Sequence, residues 1–354
     1  MKKAAVWLLA LCMVFAFAAC GGGGSGSGSE SETAGEGEAT AEGGEEAAVE
    51  PLVIKAGHVE TEESPLGQSF IKFEEWIEAE SGGAIQVDVY ANGELGGDRQ
   101  VFEAVNLGTV QLTVGGNGAL TQYDEKFALM GLPFVFDDKE KENAAMTGAF
   151  GDRLIDWLAD YGFKCFGFQY DGARSISNNK RPINTVADME GLKIRVMDSD
   201  FYVRLFQLFG ANPTPMSFTE IYTALSQGTV DGQDNPPSLT YDSKFTEVQK
   251  YYSLTRHIYA ESPILANLEW WNGLTEEQRS ILSEGIETWL HSWQRETAMS
   301  LEDEYVQKIR DAGVEVNELS PEGLQSFKDA AQPIYAEYQE KLGDVYTDLL
   351  DLAK

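Results

Sequence analysis

Two short stretches, "LVIKAGHV" (52–59) and "AIQVDVY" (84–90), are dense in apolar residues, and between them apolar positions recur at helical spacing over 68–80. The pattern predicts strand, helix, strand. "DRQVFEAVNLGTVQLTV" (98–114) extends it with a helix, a glycine stop and another strand. "GLPFVF" (131–136) is an apolar segment interrupted by proline, 143–160 reads as helix, and "FKCFGFQY" (163–170) reads as a strand that buries Cys165. "LKIRVM" (192–197) is a strand bounded by Gly191 and Asp198, and 199–209 an amphipathic helix ending at Gly210. Thr275 and Gln278 form a capping box, after which no proline interrupts the helical pattern up to Gly313. Ile281, Leu282, Ile286, Trp289, Leu290 and Trp293 give that helix an apolar stripe. At ~1.5 Å per residue it would span on the order of 55 Å, enough to brace two lobes. Strands alternating with helices place the chain in the α/β class.

The densest polar segment is "PTPMSFTEIYTALSQGTVDGQDNPP" (213–237). Pro213 and Pro215 favour an extended entry. Ser217 and Glu220 form a capping box that starts a helix at Phe218, with Ile221, Ala224 and Leu225 on one face and Gly228 past its end. Thr229 and Val230 then read as a short strand, and Asp231-Gly232 with Asp234-Asn235-Pro236 as turns. Val101–Val110 and Ile221–Val230 share Ala, Gly, Thr and Val at matching places, which suggests two lobes built from similar α/β units.

Composition adds a location. Lys2 and Lys3 precede an apolar run from Ala4 to Ala19, which reads as a signal peptide over 1–19. Phe17-Ala18-Ala19-Cys20 reads as a lipobox, with Cys20 lipidated; cleavage without lipidation, or an uncleaved anchor, are the alternatives. Residues 20–50 follow as an acidic Gly/Ser/Glu tether without a basic residue, too polar to bury a core. Apart from Cys12 and Cys20, Cys165 stands alone, so the mature chain has no internal disulfide. The net charge of −32 excludes nucleic acid as a partner, since phosphate binding needs a basic face.

No nucleophile elbow, zinc-protease motif or Walker loop is present, and His58, His257 and His291 lack metal spacing. Asp231, Asp234 and Asn235 faintly suggest a calcium loop, but its bidentate glutamate is missing. Neither a cofactor nor a metal is expected. The acidic chain nevertheless has a basic stretch: Arg174, Lys180, Arg181, Lys193 and Arg195. Strand alternation puts Arg195 on one face with Lys193 and Met197, and Arg174 follows the strand "FGFQY". Guanidinium suits bidentate recognition of a carboxylate.

"GARSISNNKRPINTVADMEGLKIRV", "GANPTPMSFTEIYTALSQGTVDGQDNP" and "KFTEVQKYYSLTRH" together resemble the extracytoplasmic solute-binding proteins of tripartite ATP-independent periplasmic (TRAP) transporters, the DctP type. "GELGGDRQVFEAVNLGTV" and "LPFVF" are similar too. The resemblance implies a two-lobed periplasmic-binding-protein-like fold, each lobe a mixed β-sheet flanked by helices, with a long C-terminal bracing helix. Lobe 1 would comprise 51–171 and 260–300, lobe 2 172–259 and 301–354. It implies that Arg195 bridges the ligand carboxylate, that Arg174 supports it, and that Phe218 and Asn235 contact the ligand, with Gln233 beside them. Asp234 stands where the family more often has Glu. His58, at the end of the first strand, and Asn117 are first-lobe candidates, although Gly115-Gly116 removes an acid that some members carry near there. Implied partners are an organic acid and the membrane permease, for a monomer held outside the cell membrane by its lipid anchor. Trp270, Trp271 and Tyr170 could present flat surfaces to a sugar ring, which favours a sugar acid such as a hexuronate over a C4-dicarboxylate or keto acid. A sensor subunit and a surface enzyme acting on acidic sugars stay open; the enzyme would need an acid/base pair that the sequence does not offer.

Overall fold

The computed structural model describes residues 51–353. The signal peptide, Cys20 and the tether lie outside the described residues. The described residues pack as one compact unit. Its strands are β1 (Leu52–Gly57), β2 (Ile85–Tyr90), β3 (Leu112–Val114), β4 (Phe163–Asn178), β5 (Lys193–Val196), β6 (Asn212–Pro215), β7 (Gly232–Asn235), β8 (Tyr251–Asn267) and β9 (Glu315–Glu318). They form one nine-stranded mixed sheet in the order β2-β1-β3-β8-β4-β7-β5-β6, with β9 on β8. β1 pairs in parallel with β2 and β3, and β5 in parallel with β6 and β7. Between these two wings run the long antiparallel strands β4 and β8, which belong to both.

Each wing has its own apolar core. Ile54, Val87, Phe70 and Phe73 pack under the first, where helix Pro65–Glu80 lies with Pro65 at its first turn and Ser64 capping Gly67. Ile194, Val196, Leu205 and Phe206 pack under the second, against helix Asp200–Leu208. Both anticipated capping boxes form, at Ser217/Glu220 and at Thr275/Gln278. The first opens on a 3-10 turn, Phe218–Glu220, before helix Ile221–Ser226.

Three local expectations need correction. The 143–160 helix is two helices, Lys139–Met146 and Ala149–Ala159, broken at Gly148. Arg174 lies within β4 rather than after it, because bulges at Cys165/Phe168 and Tyr170/Gly172 carry the strand past points where a regular ladder would end. The strand expected at Thr229–Val230 is instead Gly232–Asn235, in the stretch that reads as a turn. Those polar residues become a strand because both edges are paired, antiparallel to β4 and parallel to β5. A side chain at Gly232 would collide with the Ser177 carbonyl, its Cβ lying 2.0 Å away.

The helical run from Glu276 to Asp311 is unbroken, but its middle, Ile286–Trp293, is wound as a π-helix. This winding leaves the Leu290 carbonyl to accept from the Gln169 amide at 2.7 Å. One turn on, the Gln294 side chain accepts from the Tyr170 N–H at 3.0 Å and donates to its carbonyl at 2.9 Å. The helix is thereby fastened to β4 beside the bulge that introduces Asp171.

Candidate functional site

Arg195 projects from β5 and is 2% exposed. Its Nε and Nη2 both donate to the Met216 carbonyl, at 3.1 and 2.9 Å, which fixes the plane of the guanidinium. That carbonyl belongs to the proline-bounded segment leaving β6, so Pro213 and Pro215 orient the arginine indirectly. Nη1 is buried and has no hydrogen-bond partner among the described residues. A buried, unsatisfied cationic donor is costly unless an acceptor arrives. Burial pulls the Arg195 pKa down to about 10, with the Asp234 charge opposing that fall and Arg174 adding to it.

Arg174 differs. Its Nε donates to Asp234 Oδ2 at 2.7 Å and its Nη2 to the Asp234 carbonyl, both groups being buried. Burial alone would raise Asp234, but Arg174 and the His257 contact at 3.4 Å outweigh it and hold the carboxyl below the usual range. Burial in turn depresses His257, and Thr255 shares a hydrogen bond with its Nδ1 at 2.9 Å. Arg174 therefore already has a protein anion, while Arg195 keeps a free donor.

Both arginines line one cavity, together with Asn235, Phe218 and Met197. Asn235 donates from Nδ2 to Gln233 Oε1, and Gln233 donates on to Ser177 at 2.9 Å. Gln233 is thus fully buried and orients Asn235 instead of lining the cavity. The cavity continues to a mouth where Arg99 of the first wing meets Asp198 of the second at 2.8 Å. Thr121 and Ser199 join across the same gap at 3.1 Å.

The other anticipated residues do not line it. His58 is buried under helix Pro65–Glu80, stacked on Phe70 at 4.9 Å, and burial lowers its pKa to about 4. Its neighbours Val59 and Glu60 reach the cavity in its place. Asn117 accepts from the Tyr202 hydroxyl at 3.1 Å, behind Gly115-Gly116, which do line the wall. Tyr170 is buried with its hydroxyl on Glu302 at 2.9 Å, and Trp270 packs against the first-wing core beside Trp271. β4 alternation turns Tyr170 toward the long helix and away from the cavity.

Sequence reasoning missed three carboxyl groups that do line the wall: Glu60, Asp98 and Asp171. Asp98 opens helix Asp98–Asn106 and accepts from the Gly116 N–H at 3.1 Å. Burial raises its pKa, against the pull of that hydrogen bond and of Arg195. Asp171 accepts from Ser262 at 2.7 Å. The available signal was a neighbouring glycine, Gly172 after Asp171 and Gly96-Gly97 before Asp98, with none beside Glu60, and a glycine does not disclose which wall the acid faces. Among the described residues no cluster of acids, histidines or cysteines could hold a metal ion, and Asp234 is occupied by Arg174.

Residues 56–342 match the family model described as bacterial extracellular solute-binding protein, family 7. The chain is 32% identical over 301 residues to the C4-dicarboxylate-binding periplasmic protein DctP of Rhodobacter capsulatus, covering 84% of this chain and 89% of that one. Its fold matches the sugar acid binding protein DctPAm of Advenella mimigardefordensis in complex with galactonate, with a TM-score of 0.83, 29% identity, and 86% and 98% of the two chains covered. It also matches a TRAP periplasmic solute binding protein from Sulfitobacter with bound β-D-galacturonate, with a TM-score of 0.80, 32% identity, and 84% and 98% covered.

Proposed function

The chain belongs to family 7 of the bacterial extracellular solute-binding proteins, DctP-type receptors of TRAP transporters that bind organic acids and are not enzymes, and on that premise we propose that its own ligand is a sugar acid. The observation that carries the carboxylate is the buried Nη1 of Arg195, an unpartnered cationic donor on the cavity wall. A carboxylate seated there exchanges hydration for a charge-assisted bond at a preorganised fork. Asn235, Ser262 and Asp98 supply polar groups for hydroxyls, and Phe218 and Met197 supply apolar surface for C–H faces. Trp270 and Tyr170, the aromatic residues first considered for a ring, carry none of this. The galactonate and galacturonate named for the two similar structures fit the reading; the Rhodobacter relative's name supports C4-dicarboxylates as the alternative.

The permease as recipient, the Cys20 lipid anchor and a monomeric state belong to the same reading. A sensor subunit would use the same cavity and differ only in the protein that meets the closed form. Calorimetric titration with galactonate, galacturonate, succinate and a keto acid tests the ligand class. Binding of galactonate or galacturonate well ahead of succinate is the expected result; binding of only small dicarboxylates or keto acids overturns the sugar-acid reading.

A further inference from the structure

If a sugar acid is the ligand, one carboxylate faces Arg195, and the wall beyond it carries acids. β4 and β8 slip register between Tyr170, opposite Glu261, and Gly172, opposite Ala260, so that Asp171 is the extra residue of a β-bulge. Gly172 has φ +115°, and a Cβ there would lie 3.0 Å from Pro236, so a side chain would not be accommodated. The bulge turns the Asp171 carboxyl onto the cavity wall: Oδ2 is taken by Ser262, while Oδ1 is buried without a hydrogen-bond partner among the described residues. Glu60, 5% exposed, stands beside it at the end of β1. Two orphan groups therefore face one cavity, a guanidinium donor and a carboxyl acceptor.

We propose that Asp171, backed by Glu60, is the specificity-determining residue of the site: it accepts a hydrogen bond from a ligand hydroxyl and excludes a second carboxylate. This rests on the organic-acid reading above and deepens it. A dicarboxylate placed on Arg195 would press its second anion toward the Asp171 carboxylate, and like charges at close range in a buried site repel strongly. A polyol chain meets the same wall with O–H donors. The charged or titratable groups facing Asp171 are Glu60, Asp98, Glu261 and Arg174, three acids against one cation already paired with Asp234. Glu60 is faced in addition by Asp242, which accepts from Tyr305 at 2.8 Å. Burial, opposed by the Ser262 hydrogen bond and reinforced by Glu261, raises the Asp171 carboxyl to about 7. Burial first and Asp171 second raise Glu60 well above the ordinary range.

The test is Asp171→Asn, titrated calorimetrically with galactonate, galacturonate, succinate and fumarate alongside the unaltered protein. The amide keeps the size and the Ser262 contact but removes the charge. The ratio of hydroxy-acid to dicarboxylate affinity should fall by at least about tenfold. Fumarate, dianionic throughout, should bind the unaltered protein better at pH 6 than at pH 8, because protonating Asp171 removes the repulsion, and this difference should shrink in Asp171→Asn. Thermal melting reports folding; should that variant not fold, Glu60→Gln is expected to move the ratio the same way by less. An unaltered protein that prefers succinate overturns the sugar-acid reading and the proposal with it. An unaltered protein that prefers galactonate, with an unchanged ratio in the folded variant, overturns the proposal alone.

Discussion

Arg195→Ala removes a guanidinium that is 2% exposed, fixed through two nitrogens to the Met216 carbonyl and open to the cavity through the third. A ligand carboxylate left there would be desolvated and unpaired, which costs roughly 3–5 kcal/mol. At about 1.4 kcal/mol per tenfold, Kd should rise on the order of a hundred- to several-thousandfold. The unliganded protein should respond differently. The fall of the Arg195 pKa to about 10 represents roughly 3 kcal/mol against keeping the charge buried. Losing the hydrogen bonds to Met216 and the packing of the side-chain stem offsets a similar amount, roughly 2–3 kcal/mol. Binding should therefore collapse while the free protein melts within a few degrees of the unaltered chain. Calorimetric titration and thermal melting of the same preparation read the two effects separately. Wild-type affinity in Arg195→Ala would refute the site. Loss of folding would refute the claim that the free cation is tolerated at a cost instead of being needed by the fold.

Arg195→Lys should also lose at least about tenfold in affinity, since one ammonium cannot hold the Met216 carbonyl and the ligand in the plane of a fork; titration checks it. Arg174→Ala should behave as a folding mutation: it strands the Asp234 charge beside a His257 held neutral by burial, at roughly 3–5 kcal/mol, and urea unfolding should show the drop even without ligand. Stability should rise as pH is lowered from about 8 to about 7. Glu60 and Glu261 have folded pKa values raised well above the carboxyl range and Asp171 one of about 7, so their stabilisation is full below the unfolded carboxyl range and lost as pH rises, by about 1.4 kcal/mol per pH unit for each proton retained. Asp171→Asn should flatten that slope in urea titrations at the two pH values, and a stability that increases toward pH 8 would contradict it. Saturating ligand should make the protein more compact in small-angle scattering if the Arg99–Asp198 and Thr121–Ser199 contacts across the mouth form on closure; an unchanged radius of gyration would count against that.

How far the sequence could be read follows from how local each decision is. The capping boxes, the α/β order and the uninterrupted 276–311 helix depend on neighbours within a few residues, and all are present. β7 was misread because "GQDN" is turn-like in isolation and becomes a strand only through pairing with β4 and β5, both more than thirty residues earlier in the chain. Two of its polar side chains, Asp234 and Gln233, are held by Arg174 and Ser177, partners that no local rule supplies. Likewise the π-winding at Ile286–Trp293 reflects a tertiary hydrogen bond from Gln169. Trp270 attracted attention as an aromatic of the right type, yet it lies half-buried against the first-wing core. The wall acids escaped because an aspartate before a glycine reads as a turn former, and only the bulge at Gly172 aims Asp171 at the cavity.

Two arginines in one basic stretch look alike as residues, and the difference in their roles is a matter of remaining hydrogen-bonding capacity. Arg174 spends Nε and Nη2 on Asp234, so its charge is already balanced inside the protein. Arg195 uses the same two nitrogens on an uncharged carbonyl, which orients the plane without neutralising it. The paired Arg174–Asp234 unit then backs the free cation with an anion near enough to oppose the fall of its pKa, but not so near as to occupy its Nη1. Such an arrangement keeps the guanidinium charged in a dry cavity at neutral pH and leaves one directed donor for an incoming carboxylate. Met216→Glu leaves the backbone carbonyl in place and adds a carboxylate to the mouth beside Arg195; paired with Nη1 it would compete with the ligand carboxylate, and binding should fall sharply. That outcome, read by titration, separates the free charge of Arg195 from its mere presence.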